Sequence, residues 1–301
     1  MTAVTPPRVL HFDDQLGPAT RLADALGLAC ATIDTRRFPD GETLLRLPLP
    51  LPARVLLFCT LGTPDARLVE LLLAARTARE HGVAHLTLVA PYLCYMRQDM
   101  AFRPGEAVSQ RIVGGFLAGL FDAVVTVDPH LHRIDRLEQA VPVACAVAAS
   151  AAGPMGAFVA EHVPDAVLVG PDEESAQWVA AVAARAGRPH AVFVKRRHGD
   201  RDVEVLADGS AALAGRPVVL VDDIASSGRT LAEAARVCLA HGATGVDAIV
   251  THALCTGDDL HALHAAGIIR LWSTDSLAHP SNRVHLAPVL AQACRGNGLA
   301  P

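Results

Sequence analysis

An apolar run, Val218-Val219-Leu220-Val221, ends in two adjacent carboxylates, Asp222 and Asp223, and leads through Ile-Ala into Ser226-Ser227-Gly228-Arg229-Thr230 and an amphipathic stretch. Read as strand, loop and helix, this order places acids and small hydroxyl residues at the carboxyl end of a strand, where open α/β sheets bind ligands. Backbone N–H groups of the loop and the start of the helix suit a phosphate. Gly228 lets the backbone approach it, and the hydroxyls of Ser226, Ser227 and Thr230 add donors. Two carboxylates beside a phosphate suit the vicinal hydroxyls of a pentose, because carboxylates only accept hydrogen bonds. The loop lacks the G-x-x-x-x-G-K-[ST] pattern of a Walker A site. The plainer reading is an acidic strand end with a serine helix cap; the full order of strand, acids, loop and helix favours the ligand site.

Other residues add complementary chemistry. Lys195, Arg196 and Arg197 end an apolar run and precede Gly199-Asp200. On charge alone they read as a solvated hairpin. At the sheet edge that carries Asp222 they are cations able to meet charge on a transferring phosphorus. His130 follows Asp128 by two residues at the end of another apolar run, which makes it a candidate cation ligand; His132 is a weaker one. Phe38 sits in Arg37-Phe38-Pro39-Asp40-Gly41-Glu42, a turn sequence. An exposed aromatic there can stack on a purine, and Asp40 or Glu42 can accept from an exocyclic amine. Packing under its own hairpin is the alternative for Phe38. Arg97 offers a planar fork to phosphate oxygens, and Gln98 and Asp99 can reach a base or ribose; a surface ion pair is the alternative for Arg97 and Asp99.

The elements that must position these groups alternate. Strands are expected over 8–12, 29–34, 54–59, 84–90, 122–128, 166–170, 190–195, 216–222, 245–252 and 268–273. Helices are expected over 17–27, 65–82, 107–120, 153–162, 174–187, 229–242, 257–266 and 286–296. Such alternation predicts parallel sheets covered on both faces. The pattern repeats at an offset near 160 residues. His81-Gly82 and His241-Gly242 close corresponding helices, and Ala66–Glu70 lies beside Gly228–Glu233. Two related domains are expected, 1–150 and 151–301, with their boundary in the small-residue stretch AVAASAAGPMG and with helix 286–296 able to pack back on the first.

Composition narrows the class. Hydrophobic residues are 51% and charged residues 19%, which excludes disorder for most of the chain. A net charge of −5 disfavours a nucleic-acid binder. Seven cysteines without C-x-x-C spacing predict neither a disulfide framework nor a zinc site, but buried reduced thiols. No uncharged apolar run reaches the roughly 18 residues of a membrane span. The opening MTAVTPPRVLHFDD has no apolar segment of a secretory signal, so the cytoplasm is expected.

The Asp222–Thr230 segment resembles the sugar-phosphate loop of the phosphoribosyltransferase superfamily. Six ordered motifs narrow the resemblance, over about 20–290, to the ribose-phosphate diphosphokinases: Arg37–Glu42, Pro91–Asp99 with Arg103 and Gly105-Glu106, Asp128-Pro129-His130, Gly170-Pro171-Asp172, Lys195–Arg197 and Asp222–Thr230. The resemblance implies an α/β fold of two duplicated phosphoribosyltransferase-like domains, each a mainly parallel sheet flanked by helices. It implies transfer of the diphosphoryl group of Mg-ATP to the C1 hydroxyl of ribose 5-phosphate, with AMP leaving. The N-terminal half would bind ATP through Phe38, Asp40, Glu42, Arg97, Gln98 and Asp99. The C-terminal half would bind ribose 5-phosphate through Asp222, Asp223, Ser226, Ser227, Gly228 and Thr230. Lys195 and Arg197 would be catalytic on a mobile loop, and His130 and Asp172 would hold Mg2+. A homo-oligomer, dimer or higher, is implied because hairpin residues of the Phe38 type reach a neighbouring subunit. No nucleic acid or membrane partner is expected. The alternative is a non-catalytic regulatory homologue.

The chain departs from the family pattern at Phe12-Asp13-Asp14-Gln15, at Glu173-Glu174-Ser175, at Ser226 and at Arg229. Arg229 could bind the 5-phosphate or block the loop. The C-terminal segment lacks a serine-rich motif, so activity without added inorganic phosphate is expected.

Overall fold

The computed structural model describes residues 6–198, 201–207 and 213–301, with the backbone alone for 195–198 and 201–207. The elements run β1 Arg8–Phe12, α1 Leu16–Leu26, β2 Ala29–Arg37, β3 Thr43–Arg46, β4 Arg54–Phe58, α2 Pro64–Glu80, β5 His85–Ala90, α3 Ser109–Ala118, β6 Ala123–Val127 and β7 Cys145–Ala149. They continue with α4 Ala152–His162, β8 Val167–Gly170, α5 Ala176–Ala186, β9 His190–His198, β10 Arg201–Ala207, β11 Pro217–Ala225, α6 Arg229–Ala240, β12 Gly245–Ala253, α7 Gly257–Ala265, β13 Ile268–Thr274, β14 Asn282–Val284 and α8 Ala287–Gly296.

Two compact units result. One runs to Ala149 and takes up Ala287–Pro301; the other is Ser150–Leu286. Each holds a seven-stranded sheet. The orders are β3-β2-β1-β4-β5-β6-β7 and β10-β9-β8-β11-β12-β13-β14, one topology used twice. Neighbours pair in parallel except at one edge of each sheet, where β2–β3 and β9–β10 are antiparallel hairpins. Central strands such as β6, Ala-Val-Val-Thr-Val, are buried along their whole length, as a sheet covered on both faces requires.

The duplication is also visible in the helix stops. Gly27 (φ 69°) and Gly187 (φ 64°) end α1 and α5 in the left-handed conformation. Gly82 (φ 87°) and Gly242 (φ 84°) follow α2 and α6. Each is a position where glycine avoids the steric penalty of a Cβ.

The structure differs from the sequence expectation at the sheet margins. β3, β7, β10 and β14 were not anticipated, and all four are edge strands. The stretch AVAASAAGPMG, expected to hold the boundary, finishes β7 and begins α4. β9 extends to His198, so Lys195–Arg197 lie within a hairpin strand rather than in a loop after it. β11 extends to Ala225, beyond the expected end at 222, so Asp223 lies inside the strand together with Asp222.

In the first unit α8 packs against α1. The Arg295 Nη2 group donates to Ala25 O at 2.7 Å, and Arg54 Nη2 to Gly298 O at 2.7 Å. Leu290, Ala291 and Cys294 are buried. All seven cysteines are free, and burial pushes Cys94 and Cys294 up to about 12, where they stay protonated. Among the described residues no helix is long and apolar enough to cross a membrane.

Candidate active site

In the second unit the candidate residues gather at the carboxyl ends of β8 and β11. β11 pairs with β12 in register through Asp222↔Val250 and Ile224↔His252. The Asp223 N–H donates to Asp222 Oδ1 at 2.9 Å, and the Asp223 side chain is buried. Burial pushes the Asp222 carboxyl well above the usual carboxylate range, and the charges of Asp223 and then Asp172 push it further. The corner thus gathers three carboxylates, and the charges of Asp223 and Asp172 both act on Asp222.

After β11 the chain turns at Gly228 (φ 68°) into α6, whose start is capped by no side chain. Its first N–H groups therefore remain open to an anion. A Cβ at Gly228 would come within 2.8 Å of Leu263 Cδ2, so the loop needs glycine for conformation and for space. Ser226 is half-buried, while Ser227 and Thr230 are exposed. Arg229, the first residue of α6, is also exposed and lies near Asp259 of α7. Asp259 is held below its ordinary value mainly by the Thr256 backbone N–H and hydroxyl, and less by Arg229. Arg229 therefore points its charge into the region of two helix starts and is not packed across the loop.

Asp172 caps the 3-10 turn Glu173–Ser175. Its Oδ1 accepts from Ser175 N at 3.1 Å, and its N–H donates to Ser175 Oγ at 3.3 Å. The D-x-x-S spacing is legible as a cap, a role not anticipated beside metal binding. Gly170 makes the turn possible, since a Cβ there would lie 2.5 Å from Ser175 Oγ. Glu173 and Glu174, the departures from the family pattern, are exposed. Lys195 and Arg197 pair through the backbone with Glu204 and Asp202 in the β9–β10 hairpin; their side chains lie outside the described residues.

His252 lies one strand from the Asp pair, opposite Ile224. It is buried, with Nδ1 2.8 Å from Ser276 Oγ. The Ser276 hydroxyl donates to Thr251 O at 2.9 Å, so its one proton is used and the histidine must carry its proton on Nδ1. No local pattern marks it, because Ser276 is distant in sequence.

In the first unit the β2–β3 hairpin presents Phe38, 39% exposed. The turn closes with Phe38 N donating to Glu42 O at 2.8 Å, Gly41 N to Phe38 O at 2.9 Å and Glu42 N to Asp40 Oδ1 at 3.1 Å. In the loop after β5, Tyr95 adopts φ 62°, an unusual conformation for an aromatic, and its hydroxyl donates to Asp65 in the first turn of α2. Arg97 and Gln98 follow, both exposed. Gln98 accepts from Ser109 Oγ at 3.0 Å. Asp99 pairs with Arg133 Nε at 3.3 Å, not with Arg97. At the end of β6, Asp128 (φ 37°) is buried, and His130 Nδ1 lies 3.0 Å from His132 Nε2.

The divergent Phe12–Gln15 segment has a structural role. The Gln15 amide donates to Thr60 O at 3.2 Å and accepts from Thr60 N at 2.9 Å, tying the end of β1 to the end of β4. Asp14 pairs with Arg67 of α2 at 2.7 Å.

Two family models match the chain: the N-terminal domain of ribose phosphate pyrophosphokinase over residues 9–120, and the phosphoribosyl transferase domain over residues 140–265. A ribose-phosphate pyrophosphokinase of Methanopyrus kandleri is 36% identical over 289 residues, covering 95% of this chain and 97% of the relative. One from Methanosarcina acetivorans is 32% identical over 280 residues, covering 92% and 95%. The crystal structure of phosphoribosylpyrophosphate synthetase from Mycobacterium smegmatis superposes with a TM-score of 0.81, covering 97% and 98% of the two chains at 23% identity, and so shares the fold. With this topology used twice and relatives matching from end to end, the chain belongs to the ribose-phosphate pyrophosphokinase family.

Proposed function

We propose that the protein transfers the diphosphoryl group of Mg-ATP to the C1 hydroxyl of ribose 5-phosphate, giving phosphoribosyl diphosphate and AMP. The observation that carries this reading is 36% identity over 95% of the chain to a protein named for that activity. The C1 oxygen attacks the β-phosphorus, the bond from that phosphorus to the α,β-bridging oxygen breaks, and the hydroxyl loses its proton. The chain's part is to position two substrates and to neutralise charge.

Asp222 and Asp223 accept from the ribose hydroxyls, a role that suits carboxylates, which accept hydrogen bonds and do not donate them when ionised. Ser226, Ser227, Gly228 and Thr230, with the open start of α6, hold the 5-phosphate, and Arg229 adds charge. Phe38 stacks on adenine, Asp40 and Glu42 take its exocyclic amine, and Arg97, Gln98 and Asp99 hold the remainder of ATP. Lys195 and Arg197 meet the transferring groups. Mg2+ fits donors of these types, because the acidic corner around Asp172 offers a hard cation oxygen ligands whose mutual repulsion it would relieve. His130 in the first unit and Asp172 in the second are each proposed as Mg2+ ligands, and the ion would supply neutralisation of the triphosphate. With the shared proton on His130 Nδ1, His132 fixes the tautomer that leaves His130 Nε2 a lone pair.

A homo-oligomer of two or more subunits is part of the proposal. Leu44 on β3 and Val69 and Leu73 on α2 are exposed apolar residues, which favours association on this face. The free, mostly buried thiols agree with work in the cytoplasm. Incubation with Mg-ATP and ribose 5-phosphate, followed by chromatography, should yield AMP and phosphoribosyl diphosphate in equal amounts. ADP as the nucleotide product would rule out attack at the β-phosphorus.

A further inference from the structure

The hairpin that presents Phe38 is tied to a buried carboxylate. Glu70, on α2, is only 6% exposed. Its Oε2 meets Arg67 Nη1 at 3.0 Å, and its Oε1 meets Arg37 Nη2 at 3.0 Å. Arg67 has little freedom to swing away. Its other terminal nitrogen pairs with Asp14 at 2.7 Å, and its guanidinium lies 4.3 Å from the centre of the Phe12 ring. Arg67 therefore fixes one oxygen of Glu70 and leaves the other aimed at Arg37.

Arg37 is the last residue of β2 and the residue before Phe38. One guanidinium nitrogen holds Glu70, and the other, Nη1, donates to Gly41 O at 3.3 Å, across the turn. Gly41 is the left-handed residue of that turn (φ 92°). A single planar group thus spans from the buried carboxylate on α2 to a carbonyl of the turn that carries Phe38 and Asp40. A monodentate contact to an exposed acid would not fix direction in this way, because both side chains would be solvated and free to turn. A buried, doubly paired carboxylate has one arrangement.

We propose that Glu70 is a positioning residue for the nucleotide: through Arg37 it sets the Phe38–Glu42 turn that receives the adenine. The Asp14–Arg67 pair, built from the divergent Phe12–Gln15 segment, fixes Glu70 in turn. This deepens the proposed function and rests on the assignment of ATP to the hairpin.

The test is Glu70→Gln in the full-length protein. KM for ATP should rise about tenfold, with kcat at saturating ATP and KM for ribose 5-phosphate each within about twofold to threefold. Hydrogen exchange at the Phe38 and Gly41 amides, both closed by the turn, should accelerate. Arg37→Met removes the same link from the exposed side and should show the same split, which guards against a folding defect at the buried site. If Arg37 instead contacted ATP directly, freeing it in Glu70→Gln would lower KM for ATP, and the proposal would be overturned. Unchanged amide exchange, or an equal rise in both KM values, would overturn it as well. The underlying assignment is checked separately by Phe38→Ala. If that variant leaves KM for ATP unchanged while Glu70→Gln still loosens the hairpin, the nucleotide assignment fails and the hairpin anchoring stands.

Discussion

Burial and two neighbouring carboxylates raise the Asp222 carboxyl, so the folded protein holds that proton more tightly than the unfolded chain does. Once pH passes the ordinary aspartate value of about 3.9, the unfolded state loses the proton first. Stability contributed at low pH is then lost as pH climbs toward the raised folded value. Asn at this position keeps an oxygen to accept from the Asp223 N–H and removes the ionisation. Asp222→Asn should therefore melt about 2–6 °C above the parent at pH 7.5, with the gap closing below pH 4. In the same variant KM for ribose 5-phosphate should rise at least about tenfold. A lower melting temperature at pH 7.5 would show that Asp222 is stabilised by a partner, against its crowding by acids. Lys195 gives a different signature. Its charge is needed as phosphorus is transferred, so Lys195→Ala should cut kcat by about 10²–10³ with both KM values little changed. A change confined to KM would make it a ground-state contact.

At the scale of elements, loop 226–228 depends on the helix that follows it. Gly228 starts α6 in the left-handed region, with Leu263 of α7 in the space that a Cβ would need. Ala here costs about 1–2 kcal/mol for the conformation alone, and the contact with Leu263 adds to that. Gly228→Ala should lower the melting temperature and also raise KM for ribose 5-phosphate, because relief of the clash moves the open N–H groups. Urea titration and initial rates measure the two effects; a stability loss with unchanged KM would separate the loop from the ligand. α2 plays the matching part in the first unit. Asp65 holds Tyr95, Arg67 holds Asp14, and Glu70 holds Arg37, so one helix anchors both expected nucleotide-facing segments.

At the scale of the molecule, the first unit is discontinuous and depends on the end of the chain. Leu290, Ala291 and Cys294 of α8 are buried on it, and Arg295 reaches α1. Both tryptophans, Trp178 and Trp272, lie in the other unit. A chain stopped after Leu286 should show faster hydrogen exchange through β1–β7, while tryptophan emission stays near that of the parent. A shift in emission equal to that of the unfolded chain would mean that the second unit also requires α8.

The central strands, most helices and the duplication were legible because they are written locally. A parallel strand buried on both faces is a continuous apolar run, and the repeated His-Gly stops are fixed by the positive φ of Gly82 and Gly242. Edge strands are not written this way. β3 alternates partly and fully exposed residues, β7 is mostly alanine, and β14 has three residues, so only pairing with a neighbour defines them. The types and order of the candidate site residues were likewise in the sequence, since strand ends and loops carry them in chain order. Their partners were not. That Asp99 meets Arg133, that Asp172 caps a turn, that Ser276 sets the His252 tautomer and that Glu70 joins Arg67 to Arg37 all depend on side chains from different elements meeting in space. Hydrophobic periodicity decides which face of an element is buried; only the packed sheet and its helices decide which polar groups share that buried space.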